Sequence, residues 1–373
     1  MSINIIVGGG IFAGPQAMTQ IAGNFAFMGW LLAALMVFPI VWGVARASFL
    51  FPGEGGFYNY VNQGLGENWG FFAQWSFFLG YMLGTGSAMA FLLRHSFANR
   101  LGWTFAAEHP WATNALFIFI FALLNMLPVG LVSRIQANAT VLKLTPLFVV
   151  LALGFFYLNP ITDYNVANLE NLPSTLPIVI FGFLGFEACC ALSHLLEDGP
   201  QSLGKVALTA FGIVAVLYMT FHFGVLQIMG KENLAAHGPI AFPDYLGLSP
   251  QWTFAMVIII GAAIILSFAN SLFGVSLSNI TNLVTMTKVS KPLAAAIQGL
   301  IMWLVLCWVS HVEHIFSFSV VGVGTAYMLT MISAFRKSLE RKEHFEAAIM
   351  VLGFLSCIAL YYYCWIGLGG AVL

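Results

Sequence analysis

The chain has 373 residues, 60% of them hydrophobic and only 7% charged, with a mean hydropathy of +0.91. A soluble domain carries roughly 25% charged residues because its surface faces water, and thirteen basic and fourteen acidic side chains cannot clothe a protein of 40.6 kDa. This excludes a water-soluble enzyme, and a net charge of −1 without a basic patch gives no footing for nucleic acid.

What remains is a polytopic α-helical integral membrane protein. The windows 1–45, 68–93, 109–133, 206–230, 245–287 and 347–373 hold no charge, and each has room for the about 20 apolar residues that cross a bilayer. Long runs such as 253–272 do not alternate as the strands of an outer-membrane barrel would.

Apolar runs cut by glycine, proline and charge predict eleven spans, at about 3–21, 27–50, 68–93, 112–128, 133–158, 175–195, 206–229, 252–285, 293–310, 314–335 and 345–370. The first lacks a basic n-region and a small-residue cleavage site, so it reads as a membrane helix and not as a removable signal. It contains Gly8-Gly9-Gly10-Ile11-Phe12-Ala13-Gly14-Pro15, poor helix-forming sequence. The fifth span buries a lone base, Lys143. The sixth reads Pro177-Ile178-Val179-Ile180-Phe181-Gly182-Phe183-Leu184-Gly185-Phe186-Glu187 and is again interrupted by glycine. The eighth is too long for one upright crossing and must tilt or extend.

Cys189, Cys190, Cys307, Cys357 and Cys364 all lie in apolar segments without metal-ligand spacing. His311-Val-Glu-His314 falls in a short loop with no third ligand nearby, and no metal site is expected.

Loop charge predicts the orientation. Arg46, Arg134, Lys205, Lys288, Lys291, Arg336, Lys337, Arg341 and Lys342 fall on one side, and Arg94, Arg100 and Lys231 on the other. Nine bases against three put the first set, and the N-terminus, in the cytoplasm.

Unwound backbone inside a membrane must be buried in protein or line a cavity. Breaks in the first and sixth spans occupy corresponding positions of two five-helix halves, and such paired interruptions point to a transporter's binding site. Half-helix N-termini favour an anion and freed carbonyls an ammonium, so the pair suits a zwitterion. Glycine also packs membrane helices; each break alone is read equally well that way, and the matched pair favours the site.

These residues resemble the amino acid–polyamine–organocation transporters. Gly8-Gly9-Gly10-Ile11-Phe12 is similar to that family's G-[SA]-G-I-F signature. Pro52-Gly53-Glu54-Gly55-Gly56-Phe57-Tyr58-Asn59-Tyr60, with Gly66 and Trp75, resembles its stretch after helix two. Asn125, Gly130 and Lys143 match its passage between helices four and five. Phe181 to Glu187 resembles its helix-six F-x-F-x-G-x-E pattern, and Glu197 to Pro200 its acidic loop.

The resemblance spans about residues 3–335. It implies a LeuT-like 5+5 inverted repeat with about eleven transmembrane helices and discontinuous helices one and six. Residues 1–158 would form the first repeat, 159–335 the second, and 336–373 an additional C-terminal transmembrane helix. The family usually has twelve spans, so eleven would leave the C-terminus outside. Only seven residues precede the glycine triplet, about 10 Å of helix, and a short inner half of helix one is expected.

The resemblance also assigns roles. Gly8, Gly9, Gly10, Ile11, Phe181, Gly182, Phe183 and Gly185 are the expected substrate-binding residues, with Phe181 and Phe183 covering the substrate and Gly182 supplying open backbone. Aromatic packing is an almost equal reading of the two Phe. Lys143 is expected to stand where sodium-coupled relatives hold a cation, linking protonation to helix-one carbonyls. Glu187 is expected to gate or to carry a proton, a role compatible with simply capping freed backbone N–H groups.

Gln74, Ser76, Thr85, Asn270, Ser271 and Asn279 are either ligand contacts or, more readily, polar links between helices. His222 reads as a core histidine. No nucleotide-binding loop or catalytic triad order is present, so no enzyme is expected.

The expected function is secondary active transport of amino acids, neutral ones first, across the cytoplasmic membrane by alternating access, linked to protons or to exchange. An amino acid/polyamine antiporter and a non-transporting substrate-binding sensor are the alternatives. The expected partners are a small-molecule amino acid, the lipid bilayer and protons. No cofactor is expected, and the oligomeric state is left open.

Overall fold

The computed structural model of the chain describes residues 7–8, 10–53, 55–156, 167–187, 203–309 and 312–369, and among these there is helix, turn and loop but no strand. The first described helix is α1 (Gly10–Ala22), which begins at the last glycine of the triplet, and the chain continues into α2 (Met28–Leu50). A short helix α3 (Phe57–Leu65) lies between α2 and the next crossing. That crossing is built from α4 (Glu67–Leu79), a π-helical stretch at Gly80–Gly86, and α5 (Ser87–Arg100).

Then come α6 (Pro110–Leu124), α7 (Val129–Phe156) and the short α8 (Leu176–Phe183). Next is α9 (Leu203–His237), in fact two helices joined at Gly230, whose φ of 76° no continuous helix allows. The last four are α10 (Pro250–Thr287), α11 (Lys291–Trp308), α12 (Val312–Glu340) and α13 (His344–Gly369).

Among the described residues, eight helical stretches are long and apolar enough to cross a membrane: α2, the crossing from Glu67 to Ala98, α7, and α9 to α13. The other three predicted spans correspond to α6, which at 15 residues covers about 22 Å, and to α1 and α8. Those last two are short because their sequences break the helix. At 38 residues α10 is about 57 Å long and uninterrupted, so the long eighth run is one helix that tilts or projects.

Lipid-facing and protein-facing residues sort by helical spacing. On α7, Val132, Gln136, Ala139, Lys143, Leu147 and Val150 are buried, whereas Val141, Leu142 and Phe148 are exposed. The inward set recurs every three or four positions, one face of a helix. An apolar outer face is the cheap choice where the surrounding solvent is hydrocarbon.

The short helices lie inside. α1 packs on α8 and α9, and α8 touches α2 and α12 as well. α12 in turn packs closely on the π-helical stretch: a Cβ on Gly80 would come within 2.6 Å of Gly322 Cα, so the two backbones meet where neither carries a side chain.

Candidate functional site

The first break leaves carbonyl groups that no helix satisfies. Val7 and Gly8 lie ahead of α1 in non-helical conformation, and both are buried. In a membrane interior an unpaired carbonyl is costly, and here two helices supply donors. Lys143 Nζ, fully buried on α7, donates to the Val7 carbonyl. Ser267 Oγ on α10 donates to the same oxygen at 3.2 Å and lies 3.5 Å from the Gly8 carbonyl. Tyr218 on α9 reaches the Gly8 backbone with its hydroxyl. The first break is thus held from three helices distant in sequence.

The second break is closed locally. α8 ends at Phe183; Leu184 turns extended (φ −61°, ψ 138°), and Gly185 takes a φ of 127°, open only to glycine. The N–H of Gly185 donates to both carboxylate oxygens of Glu187, each at 3.0 Å. Glu187 is fully buried, and the Tyr327 hydroxyl from α12 reaches its carboxylate while the Tyr327 ring stacks on Phe186 at 5.6 Å. Glu187 therefore does cap freed backbone.

The two breaks meet. A Cβ on Gly10 would lie 2.4 Å from Gly182 Cα, closer than any real contact, so α1 and α8 cross backbone to backbone at this pair. Gly182 is consequently not open backbone, as the sequence suggests, but the last turn of a helix with its bare side filled by Gly10 and Trp30. The open backbone comes at Leu184 and Gly185.

Ile11 and Phe183 are buried within the same cluster, Phe183 packing on Tyr218, Phe211 and Trp30. Phe181 is 5% exposed. Gly9, Glu54, Cys189, Cys190, His311 and the Glu197–Pro200 loop lie outside the described residues.

Trp30 and His222 carry no sign of a site role in the sequence, yet they brace both breaks. The Trp30 ring lies against Gly14 and Gly182 and packs edge-on to Phe183 and Tyr218. Its indole N–H donates to His222 Nδ1 at 3.1 Å. An indole is a donor only, so Nδ1 must be the bare nitrogen, and the proton of the neutral ring sits on Nε2. From there it faces Thr19 Oγ1 at 3.0 Å, whose own hydroxyl donates to the Pro15 carbonyl at 2.7 Å. The chain from Trp30 through His222 and Thr19 to Pro15 has one direction throughout and leaves His222 a neutral core residue.

Three of the other intramembrane polar residues, Gln74, Thr85 and Asn270, tie helices together, whereas the Asn279 amide is buried without a hydrogen-bond partner among the described residues. Gln74 bonds Asn282, Thr85 bonds Ser319, and Asn270 donates to the Gln136 carbonyl.

Residues 1–372 match the family model described as amino acid permease. The chain belongs to the amino acid permease family. It is an integral membrane protein of a permease family and not of an enzyme family.

Among its relatives is a probable agmatine/putrescine antiporter of Lactococcus lactis, 23% identical over 63% of this chain and 53% of that protein. A serine/threonine exchanger of Bacillus subtilis is 21% identical over 63% of the chain and 55% of that protein. An arginine/agmatine antiporter of Chlamydia felis is 28% identical over 64% and 54%. The matches take in about half the length of each of these permeases.

Proposed function

We propose that the chain is a secondary transporter of amino acids in the cytoplasmic membrane, with its N-terminus inside. In this reading residues 1–158 and 159–335 are inverted five-helix repeats, 336–373 is an added helix, and alternating access moves one repeat's broken helix against the other's scaffold. The observation that carries it is the meeting of two helix breaks at Gly10 and Gly182, with carbonyls freed on one side and N–H groups on the other. A zwitterion needs both kinds of partner.

Gly8, Gly9, Gly10 and Ile11 of the first break and Phe181, Gly182, Phe183 and Gly185 of the second are the substrate contacts in this proposal, Gly182 through its carbonyl side only. Lys143 acts as the resident cation. Held on the Val7 carbonyl as an ammonium, it fixes the first break; losing its proton would weaken that hold to a neutral hydrogen bond beside the one from Ser267, which links proton movement to the movement of α1. Glu187 gates the second break.

Neutral amino acids fit a cluster whose described charged side chains, Lys143 and Glu187, are engaged on the backbone of the breaks themselves. Exchange is the second reading, and the relatives named above as antiporters and exchanger support it. The test is flux in proteoliposomes with labelled serine outside and either serine, agmatine or nothing inside. Uptake into empty vesicles that follows a pH gradient supports proton-linked transport, and uptake only with an internal partner supports exchange. Saturable binding without flux in any condition would refute transport and leave a sensor.

A further inference from the structure

A cavity of about 530 Å³, lined by no residue of the two breaks, lies where α3 and α4 face the last turns of α10 and the start of α11. Its polar floor can be read atom by atom. The Tyr58 backbone N–H donates to Gln74 Oε1 at 3.1 Å, which fixes the orientation of the Gln74 amide. Gln74 Nε2 then donates to Asn282 at 2.8 Å, so the accepting atom is Asn282 Oδ1.

The Asn282 amide nitrogen is left over. It is buried, with the residue 5% exposed, and among the described residues it has no hydrogen-bond partner although Asn282 lines the cavity. Thr281 and Thr285 also line it, but their hydroxyl protons are committed to the carbonyls of Leu277 and Thr281. The donors this leaves include the Asn282 amide and the ammonium groups of Lys288 and Lys291, both of which line the cavity and make no ion pair among the described residues.

No acidic side chain appears among the described lining residues. Two positive charges beside a spare amide donor, with no carboxylate among the described lining residues, select an anion, and the carboxylate and phosphate oxygens are the acceptors such groups hold best. Phe71, Ile280 and Val284 make the remaining wall apolar.

We propose that this cavity is a second binding site, for an anionic oxygen group: the phosphate of a lipid headgroup or the carboxylate of a small solute, held by Asn282, Lys288 and Lys291. The site is independent of the transport reading.

Native mass spectrometry of the detergent-purified chain tests it, with phosphatidylglycerol and phosphatidylcholine as probes and acetate and inorganic phosphate as soluble competitors. The chain should retain phosphatidylglycerol in preference to phosphatidylcholine, or bind acetate or phosphate saturably. K288Q with K291Q should weaken that binding at least about tenfold, the size expected when charge-assisted hydrogen bonds are lost.

Asn282→Asp keeps the acceptor for Gln74 and replaces the donor by a like charge, and should abolish binding. Its thermal midpoint reports whether it still folds, and the lysine pair, neither of which is buried, serves if it does not. R336Q with R341Q should change nothing. Displacement of phosphatidylglycerol by acetate or phosphate assigns the site to soluble anions; retention assigns it to lipid. Equal binding of both lipids with no saturable soluble anion, or equal loss in the arginine variant, overturns the proposal.

Discussion

The two helix breaks solve one problem in opposite ways. At the first, carbonyls of Val7 and Gly8 are met by Lys143 and Ser267, 136 and 260 residues away from Val7 in sequence. At the second, the Gly185 N–H is met by a carboxylate two residues along the same strand of chain. A contact made from other helices is broken whenever those helices shift, whereas a local cap travels with its own backbone. The difference makes the first break the one whose hydrogen bonds report relative helix movement, and the second a preformed elbow. Both rest on a shared pivot, the bare contact of Gly10 and Gly182.

The pivot gives the largest expected effect. In Gly10→Ala the new methyl would sit 2.4 Å from Gly182 Cα, and only a shift of α1 against α8 relieves it. In Gly182→Ala the methyl meets the Trp30 ring at 2.9 Å and Gly10 Cα at 3.5 Å, and a ring can rotate where backbone cannot. Overpacking typically costs about 1–3 kcal/mol, with Gly10→Ala at the top of that range and Gly182→Ala near the bottom. Thermal unfolding of the purified variants ranks them. Equal midpoints would show that the breaks do not share this pivot.

The next contrast sets the breaks against each other. Lys143→Met removes the charged donor to Val7, a hydrogen bond of a class worth about 1.5–3 kcal/mol, and should cut uptake at least about tenfold, the rate equivalent of roughly 1.4 kcal/mol. Glu187→Gln still offers Oε1 to the Gly185 N–H and should leave the unfolding midpoint nearly unchanged, while Glu187→Ala orphans that N–H at about 1–3 kcal/mol. If Glu187→Gln unfolds as easily as Glu187→Ala, the second break is held by charge and not by its local cap.

How much of this is legible in the sequence follows from the range of each interaction. Glycine, proline and the charge-free windows are local, and they mark both breaks and the long α10. Lys143 stands out because a lone base in an apolar run is costly and is seldom kept without a role. Its acceptor does not, since nothing in the residues around Val7 says which helix will stand beside it.

Gly182 misleads for the same reason. Its bare side is filled by Gly10 and Trp30, partners known only after the helices cross. Trp30, His222, Ser267 and Tyr218 carry no motif and look like ordinary membrane-helix residues. The shortness of α1 and α8 is implicit in the very glycines that predict the breaks, yet the apolar runs alone extend through them.

The smallest effect is the most informative about the first break. In Ser267→Ala the Val7 carbonyl keeps Lys143, so the loss should be only about 0.5–1.5 kcal/mol, that of a neutral hydrogen bond. In a chain that already carries Lys143→Met, Ser267 is the remaining donor to that oxygen, and its removal leaves a buried carbonyl without either partner. The second loss should therefore exceed the first, giving a coupling of about 0.5 kcal/mol or more between two residues on α7 and α10 that share the Val7 carbonyl. Unfolding midpoints of the four proteins in the cycle measure it. Strict additivity would mean that the carbonyl finds another donor once the lysine is gone, and that the first break, like the second, can close on itself.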